Sequence, residues 1–290
     1  MAFASPQDLA AALRAESYLA DHSLAVSLYL ALAMRRPLLL EGEPGVGKTE
    51  VARTLARALD AELIRLQCYE GIDASQALYE WDYARQLLYA RLLQAEDADP
   101  DAAVDELYGP RFLVERPVLA AVRAGSRAVL LVDELDRADD EFEAFLLEAL
   151  ADSSVTIPEI GAVGAEDGSR PAVIITSNRT RELHDALKRR CLYHWIDYPD
   201  PAREAAIVRI RVPAASDRLA RSIATAVARL RTMDLVKPPG AAEAIDWAES
   251  LAVLGRDELD EETARATLGW AVKSHEDLQA VEARLPELLQ

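Results

Sequence analysis

An α/β domain with a central parallel sheet, followed by a smaller all-helical domain, is the fold class that the sequence predicts. Three observations carry that prediction. The apolar run PLLL at Pro37–Leu40 leads straight into the glycine-rich EGEPGVGKTE at Glu41–Glu50, and then into a stretch whose apolar residues recur at helical spacing. A second uninterrupted apolar run, Val129–Val132, closes on Asp133 and Glu134, as suits a parallel strand buried on both faces. Beyond Tyr198–Ala206 strand-like segments cease, and Ala-rich helical ones continue to Gln290.

The elements follow in order. Leu9, Leu13, Tyr18 and Leu19, then Leu24, Val26, Leu28, Leu30 and Leu32, predict two helices ahead of the first strand, which is RPLLLEG. The helix after the glycine loop, KTEVARTLARALD, presents Val51, Leu55, Ala58 and Leu59 on one face. A second strand is predicted at Glu62–Tyr69 and a third at Arg127–Glu134. Between them lie a long helical segment around EWDYARQLLYARLL and an acidic stretch, Ala95–Glu106, that reads as a solvated loop. The helix DDEFEAFLLEAL buries Phe142, Phe145, Leu146, Ala149 and Leu150; an alternating SVTIPEIG, a turn-rich AVGAEDGSRP and a fourth strand, AVIITSN, come next. Pro199 and Pro201 mark a boundary, giving domains at 1–198 and 199–290.

Composition narrows the function. The chain has 290 residues, 51% of them hydrophobic, enough to build real cores. Its 32 basic and 50 acidic residues leave a net charge of −18, which opposes non-specific attraction to nucleic acid or anionic lipid. Cys68 and Cys191 are far apart and lack metal-ligand spacing, so both are expected to be buried thiols in a reducing compartment. The longest nearly uncharged stretch, Ser23–Met34, is too short to span a bilayer, and no signal-peptide pattern opens the chain; the expectation is a cytoplasmic protein. His22, His184, His194 and His275 are scattered without the spacing of a helical metal site. Trp195 and Tyr198 are expected to be packing residues rather than a stacking platform for a base.

The motifs point to nucleotide hydrolysis. GEPGVGKT, Gly42–Thr49, fits the pattern G-x-x-x-x-G-K-[ST], whose glycines let backbone N–H groups approach phosphate oxygens. The nucleotide-binding stretch is thus Gly42, Glu43, Pro44, Gly45, Val46, Gly47, Lys48, Thr49 and Glu50; Lys48 is suited to the β- and γ-phosphates of ATP and Thr49 to Mg²⁺. Asp133 ends its strand where parallel sheets bind ligands and is suited to hold Mg²⁺ through water, with Glu134 beside it to polarise an attacking water. Asn178 ends a further strand, where an amide can orient that water. Arg190, with Arg189 as second choice, follows a helical stretch and is suited to reach a neighbouring subunit's γ-phosphate.

The ordered set GEPGVGKT, LLVDELDRA, TSN and LKRRC, with a helical region after it, resembles the AAA+ ATPases, and more closely the MoxR family. DELDRADDEFEAFLLEALADSSVTIPEIG and LKRRCLYHWIDYPD look like the CoxD-like branch associated with carbon monoxide dehydrogenase maturation. The resemblance is strong from about Arg36 to Asp200 and loose beyond. It implies a P-loop AAA+ domain with a helical lid, Walker A roles for Lys48 and Thr49, Walker B roles for Asp133 and Glu134, sensor 1 at Asn178 and a trans arginine finger at Arg190. It further implies a hairpin insertion ahead of sensor 1, a second insertion within Tyr69–Arg91, both candidate surfaces for moving a client, and a homo-oligomeric ring, usually a hexamer. The partners it implies are a von Willebrand factor A domain protein and a metalloenzyme client. Where MoxR proteins carry the sensor 2 arginine, the segment Lys237–Glu249 has none, and Lys237 is its only basic residue.

Two other readings share these motifs. Against a monomeric P-loop phosphotransferase or GTPase, a small-molecule kinase would need neither Glu134 as a water activator nor a trans arginine, and the GTPase patterns D-x-x-G after Asp133 and N-K-x-D are absent from the sequence. A DNA-acting AAA+ motor would use the same catalytic residues, but the acidic charge disfavours it.

Overall fold

A computed structural model describes residues 3–95, 106–150 and 154–289. The acidic loop expected at Ala95–Glu106 lies, apart from its two end residues, outside the described residues. By internal contacts the chain divides into two compact units, one of residues 1–9, 22–41 and 52–194 and one of 10–21, 42–51 and 195–290.

In order, the strands are β1 (Leu38–Gly42), β2 (Glu62–Gln67), β3 (Tyr79–Trp81), β4 (Leu113–Glu115), β5 (Ala128–Asp133), β6 (Ser154–Ile157), β7 (Gly161–Gly164), β8 (Ala172–Ser177) and β9 (Leu192–Ile196). Five of them form one sheet in the order β2-β5-β8-β1-β9. β5 pairs in parallel with β2 and β8, and β8 with β1. Every residue of β5 is buried, which its unbroken apolar sequence requires of a strand covered on both faces.

The register aligns Leu39 with Ile175 and Ile175 with Val132, a row that packs in one core with Leu119, Val122, Phe142 and Leu146. Each such side chain contributes about 1.5–3 kcal/mol by leaving water. The helix Asp140–Ala149 begins where Asp139 accepts a hydrogen bond from Phe142 N at 2.8 Å, satisfying one of the donors that a helix start leaves open.

Three strands, β9, β3 and β4, go beyond the sequence reading, and the hairpin expected ahead of Asn178 is present. β9 closes one edge of the sheet within LYHWI. β3 and β4 form a separate antiparallel pair that precedes the helix Tyr83–Ala95, and β6 with β7 makes the hairpin in which Val155 and Ile157 are buried while Ser154 and Thr156 are exposed.

The second unit is built of helices after β9: Pro201–Arg211, Asp217–Leu230, Ala241–Val253, Glu261–Thr267, His275–Glu282 and Leu285–Leu289. Four of them start on an Asp or Ser whose side chain accepts from a first-turn N–H: Asp200, Ser216, Asp260 and Ser274. Their apolar faces enclose Leu219, Ile223, Val227, Trp247, Leu251 and Val281. Trp247 keeps its one donor satisfied through Nε1–H to Thr267 Oγ1 at 2.8 Å. No described helix is long and apolar enough to cross a membrane.

Candidate functional site

Parallel pairing brings Glu41, Ser177, Asp133 and Gln67 to one edge of the sheet, because Glu41 is level with Ser177 and Gln67 with Asp133. That is the carboxyl edge, where open α/β sheets bind ligands. Asp133 is buried. Its Oδ1 accepts from Thr176 Oγ1 at 2.6 Å, and its Oδ2 accepts from Arg65 through Nε at 3.0 Å and Nη2 at 2.6 Å. Glu134 has φ 55° and ψ 50°, a left-handed conformation that a residue with a side chain adopts at a cost of about 1–3 kcal/mol. The surroundings hold it there: its N–H donates to Thr176 Oγ1 at 2.9 Å, and its Oε2 accepts from Gln67 Nε2 at 3.0 Å and Arg137 Nη1 at 3.1 Å. Arg65 in turn donates to Gln67 Oε1, so the two acids and their β2 neighbours form one network.

Asn178 follows β8 on the same edge. Its backbone N–H donates to Asp136 Oδ1 at 3.2 Å, and Asp136 Oδ2 accepts from Thr180 N at 2.8 Å and Thr180 Oγ1 at 2.7 Å. Buried Asp136 thereby fastens the turn after β8 to the turn after β5. Glu41, also buried, accepts from Tyr193 OH at 3.1 Å; burial first and Glu41 second push the Tyr193 hydroxyl above its ordinary range. Burial pushes the Cys68 thiol up to about 12, with Asp133 adding to the effect, and burial pushes Cys191 up to about 12 as well.

Arg189 and Arg190 stand at the opposite edge. They end the helix Asp185–Arg190 just before β9, whose first residue, Leu192, donates its N–H to Pro37 O at 2.8 Å, ahead of β1. Arg36 holds both by their carbonyls, at 2.9 Å for Arg189 and 3.2 Å for Arg190, leaving two exposed side chains. Arg190 Nη1 donates to Leu147 O at 3.1 Å.

In the second unit, the loop Gly42–Gly47 curls around its own lysine. Lys48 Nζ donates to Gly42 O at 2.7 Å and Glu43 O at 2.8 Å, and the helix Lys48–Ala58 starts at that residue. Gly45 has φ +78°, and a Cβ there would lie 2.8 Å from Glu243 Oε2 and 3.1 Å from Gly240 Cα, so both the backbone conformation and the close approach demand glycine. Gly45 O accepts from Ala242 N at 3.1 Å, at the start of the helix Ala241–Val253. Glu50 accepts from Arg211 Nη1 at 2.9 Å. Tyr198 lies under the Arg231 guanidinium, 4.3 Å from its ring centre, in keeping with a packing role.

The fold therefore collects Asp133, Glu134 and Asn178 on the sheet edge from which β1 runs into the glycine loop, and it sets Arg189 and Arg190 at the other edge. Sequence reasoning missed Arg65, Gln67, Asp136 and Thr176. No local sequence signal marks the first two, because only the pairing of β2 with β5 sets Arg65 and Gln67 beside the strand that ends in the acids. No group of three or more His, Cys, Asp or Glu suited to a metal ion occurs among the described residues.

A parallel sheet whose first strand runs into a G-x-x-x-x-G-K-T loop and helix, with an acid pair at the end of β5 and β8 lying between β5 and β1, defines a P-loop protein of the AAA+ type. The chain belongs to the AAA domain family, dynein-related subfamily, which matches residues 37–191, more than half of its length. No curated protein matches the chain. Among solved structures, one single-residue variant of Thermotoga maritima RuvB is 18% identical, with 84% of this chain and 66% of that chain covered and a TM-score of 0.48. Another RuvB variant is 17% identical over 92% of this chain and 70% of that one, TM-score 0.48. Domain III of the Thermotoga maritima replication initiation protein DnaA is 15% identical over 89% of this chain and 96% of that one, TM-score 0.48. The chain thus spans just under two thirds of the first of these RuvB chains.

Proposed function

We propose that this AAA+ protein is an ATP-hydrolysing chaperone of the MoxR type, closest to the CoxD-like branch, with an AAA+ domain at 1–198 and a helical lid at 199–290. The observation that carries hydrolysis is Glu134, held in a left-handed conformation beside a buried Asp133 at the carboxyl edge of the sheet. Backbone strain maintained by a surrounding network is characteristic of functional positions.

In this reading Gly42–Glu50 binds the phosphates of ATP, with Lys48 as their cation. The Thr49 hydroxyl and Asp133 carboxylate are hard oxygen donors of the kind Mg²⁺ prefers, so the residues present fit that ion. Bound Mg²⁺ would neutralise charge on the phosphates. Glu134 accepts the proton of the attacking water, and Asn178, whose turn Asp136 immobilises, orients that water. Arg190, or Arg189 as second choice, stands on the edge opposite Asp133, which suits a guanidinium that completes a neighbour's site and not its own. That arrangement supports a homo-oligomeric ring, with a hexamer expected from the motif resemblance.

The metalloenzyme client and the von Willebrand factor A domain partner rest on that resemblance alone. The helix Tyr83–Ala95 exposes Tyr83, Leu87, Leu88 and Leu92, an apolar face within and beside the expected insertion that suits contact with another protein. A cytoplasmic location is part of the same proposal.

Hydrolysis per subunit, measured across a protein concentration series with Glu134→Gln as control, tests the reading. We expect activity that rises with concentration and vanishes in the variant. Activity that survives Glu134→Gln would remove Glu134 from its role.

A further inference from the structure

We propose that Arg65 is an internal counter-cation for Asp133, one that must release the carboxylate when Mg²⁺ enters with nucleotide, so that Arg65 sets how much Mg²⁺ the site needs. The inference rests on the proposed nucleotide site and adds a residue to which no motif assigns a role.

The geometry is specific. Asp133 uses one oxygen for Thr176 and gives the other to two nitrogens of a single guanidinium, at 3.0 and 2.6 Å. Arg65 lies on β2, the edge strand, two residues before Gln67, which is level with Asp133, so its side chain runs along the strand to reach the acid. The two partners differ in what they can do: the Arg65 side chain is 44% exposed and Asp133 only 3%.

An ionised carboxylate that buried is costly without a cation, and Arg65 supplies one in the absence of metal. A divalent ion drawing on the same carboxylate and a guanidinium on its Oδ2 repel each other and compete for the same lone pairs. Of the two cations, the arginine is the one that can leave, because its head group already meets solvent and its long stem can swing there at small cost. Gln67 joins the same network at Arg65 and at Glu134, so withdrawal of Arg65 also frees a hydrogen bond next to the second acid. Asp133 is thereby kept neutralised until metal and nucleotide arrive together.

The test is the Mg²⁺ requirement for nucleotide binding. A fluorescent non-hydrolysable ATP analogue is held at fixed concentration with the full chain, MgCl₂ is titrated, and anisotropy is read for wild type, Arg65→Gln and Arg65→Lys. We expect the half-saturating Mg²⁺ concentration to fall roughly three- to tenfold in Arg65→Gln, the size expected for an ion pair between a half-exposed arginine and a buried acid. Arg65→Lys, which keeps charge and loses the two-point contact, should lie between. Melting temperature without nucleotide should drop in Arg65→Gln, and the difference from wild type should shrink with Mg²⁺ and ADP bound. A purely structural Arg65 would lower both melting temperatures equally and leave the Mg²⁺ requirement unchanged or raised, and that result would overturn the inference. If Arg65→Gln does not fold, the Mg²⁺ requirement of Arg65→Lys decides in the same way. Wild-type protein that binds no analogue at any Mg²⁺ concentration would overturn the nucleotide site itself, and this inference with it.

Discussion

Arg231 and Glu204 form a bidentate ion pair inside the helical unit, Nη2 donating to Oε1 at 2.7 Å and Nη1 to Oε2 at 2.9 Å, with the two side chains 9% and 0% exposed. Nε of the same guanidinium donates to Pro239 O at 2.8 Å, so the pair also fixes the residue before Gly240. Burial raises the Glu204 carboxyl above its ordinary range, and Arg231 works against that rise. Removing one partner strands a buried charge, which costs about 3–5 kcal/mol. Arg231→Ala and Glu204→Ala should each destabilise by that amount in urea denaturation, and the double variant Arg231→Ala with Glu204→Ala should lose less than the two single losses summed. Strict additivity would show that the pair is not coupled.

At Gly240 an added Cβ would fall 2.7 Å from both Cα and C of Gly45, whose own backbone is part of the phosphate loop. Neither atom belongs to a flexible side chain, so relief must come from moving one backbone away from the other. Gly240→Ala should therefore weaken nucleotide binding by about 1–3 kcal/mol, the usual range for overpacking. Gly269→Ala, where a Cβ meets nothing within 4 Å, should leave binding unchanged. Calorimetric titration of both variants checks this, and equal effects would detach Gly240 from the loop.

Burial places both thiols at about 12, against an ordinary value of 9.0. Below pH 9 they are protonated whether the chain is folded or not, and their contribution to stability is complete. As pH rises from about 9 toward about 12 the unfolded chain loses those protons first, so stability falls through that window. Iodoacetamide at pH 8 should modify neither Cys68 nor Cys191 in the folded protein and both after denaturation, as read by intact mass. Rapid labelling of the native protein would contradict their burial.

Much of this arrangement was legible because it is written locally. The glycine loop states its own chemistry in consecutive residues, and the apolar run before Asp133 declares a buried strand. β9 was harder to see: in LYHWI only Ile196 is fully buried, so an edge strand lacks the unbroken apolar pattern that marks an interior one. Arg65 and Gln67 were invisible as site residues for a different reason. They are 68 and 67 residues away from the acids they meet, and only the register of β2 on β5 brings them together. The Gly45–Gly240 approach is likewise a tertiary fact, since nothing near PPG in the sequence announces what its glycine touches.

The position of Arg190, on the edge of the sheet opposite Asp133, has a consequence for mixed assemblies. If Arg190 completes a neighbour's site, a subunit carrying Arg190→Ala keeps its own Glu134 and fails only to complete its neighbour's site. A subunit carrying Glu134→Gln has the reverse lesion. Each variant alone should be inactive, yet a site that pairs the Glu134 of one with the Arg190 of the other is whole. Random mixing in equal amounts makes about a quarter of the sites complete, so about a quarter of wild-type hydrolysis should return. Arg189→Ala mixed with Glu134→Gln identifies the finger: if Arg190 holds the role, Arg189→Ala alone stays active. No recovery in either mixture, from proteins shown by sizing to assemble, would mean that neither arginine crosses to a neighbouring site.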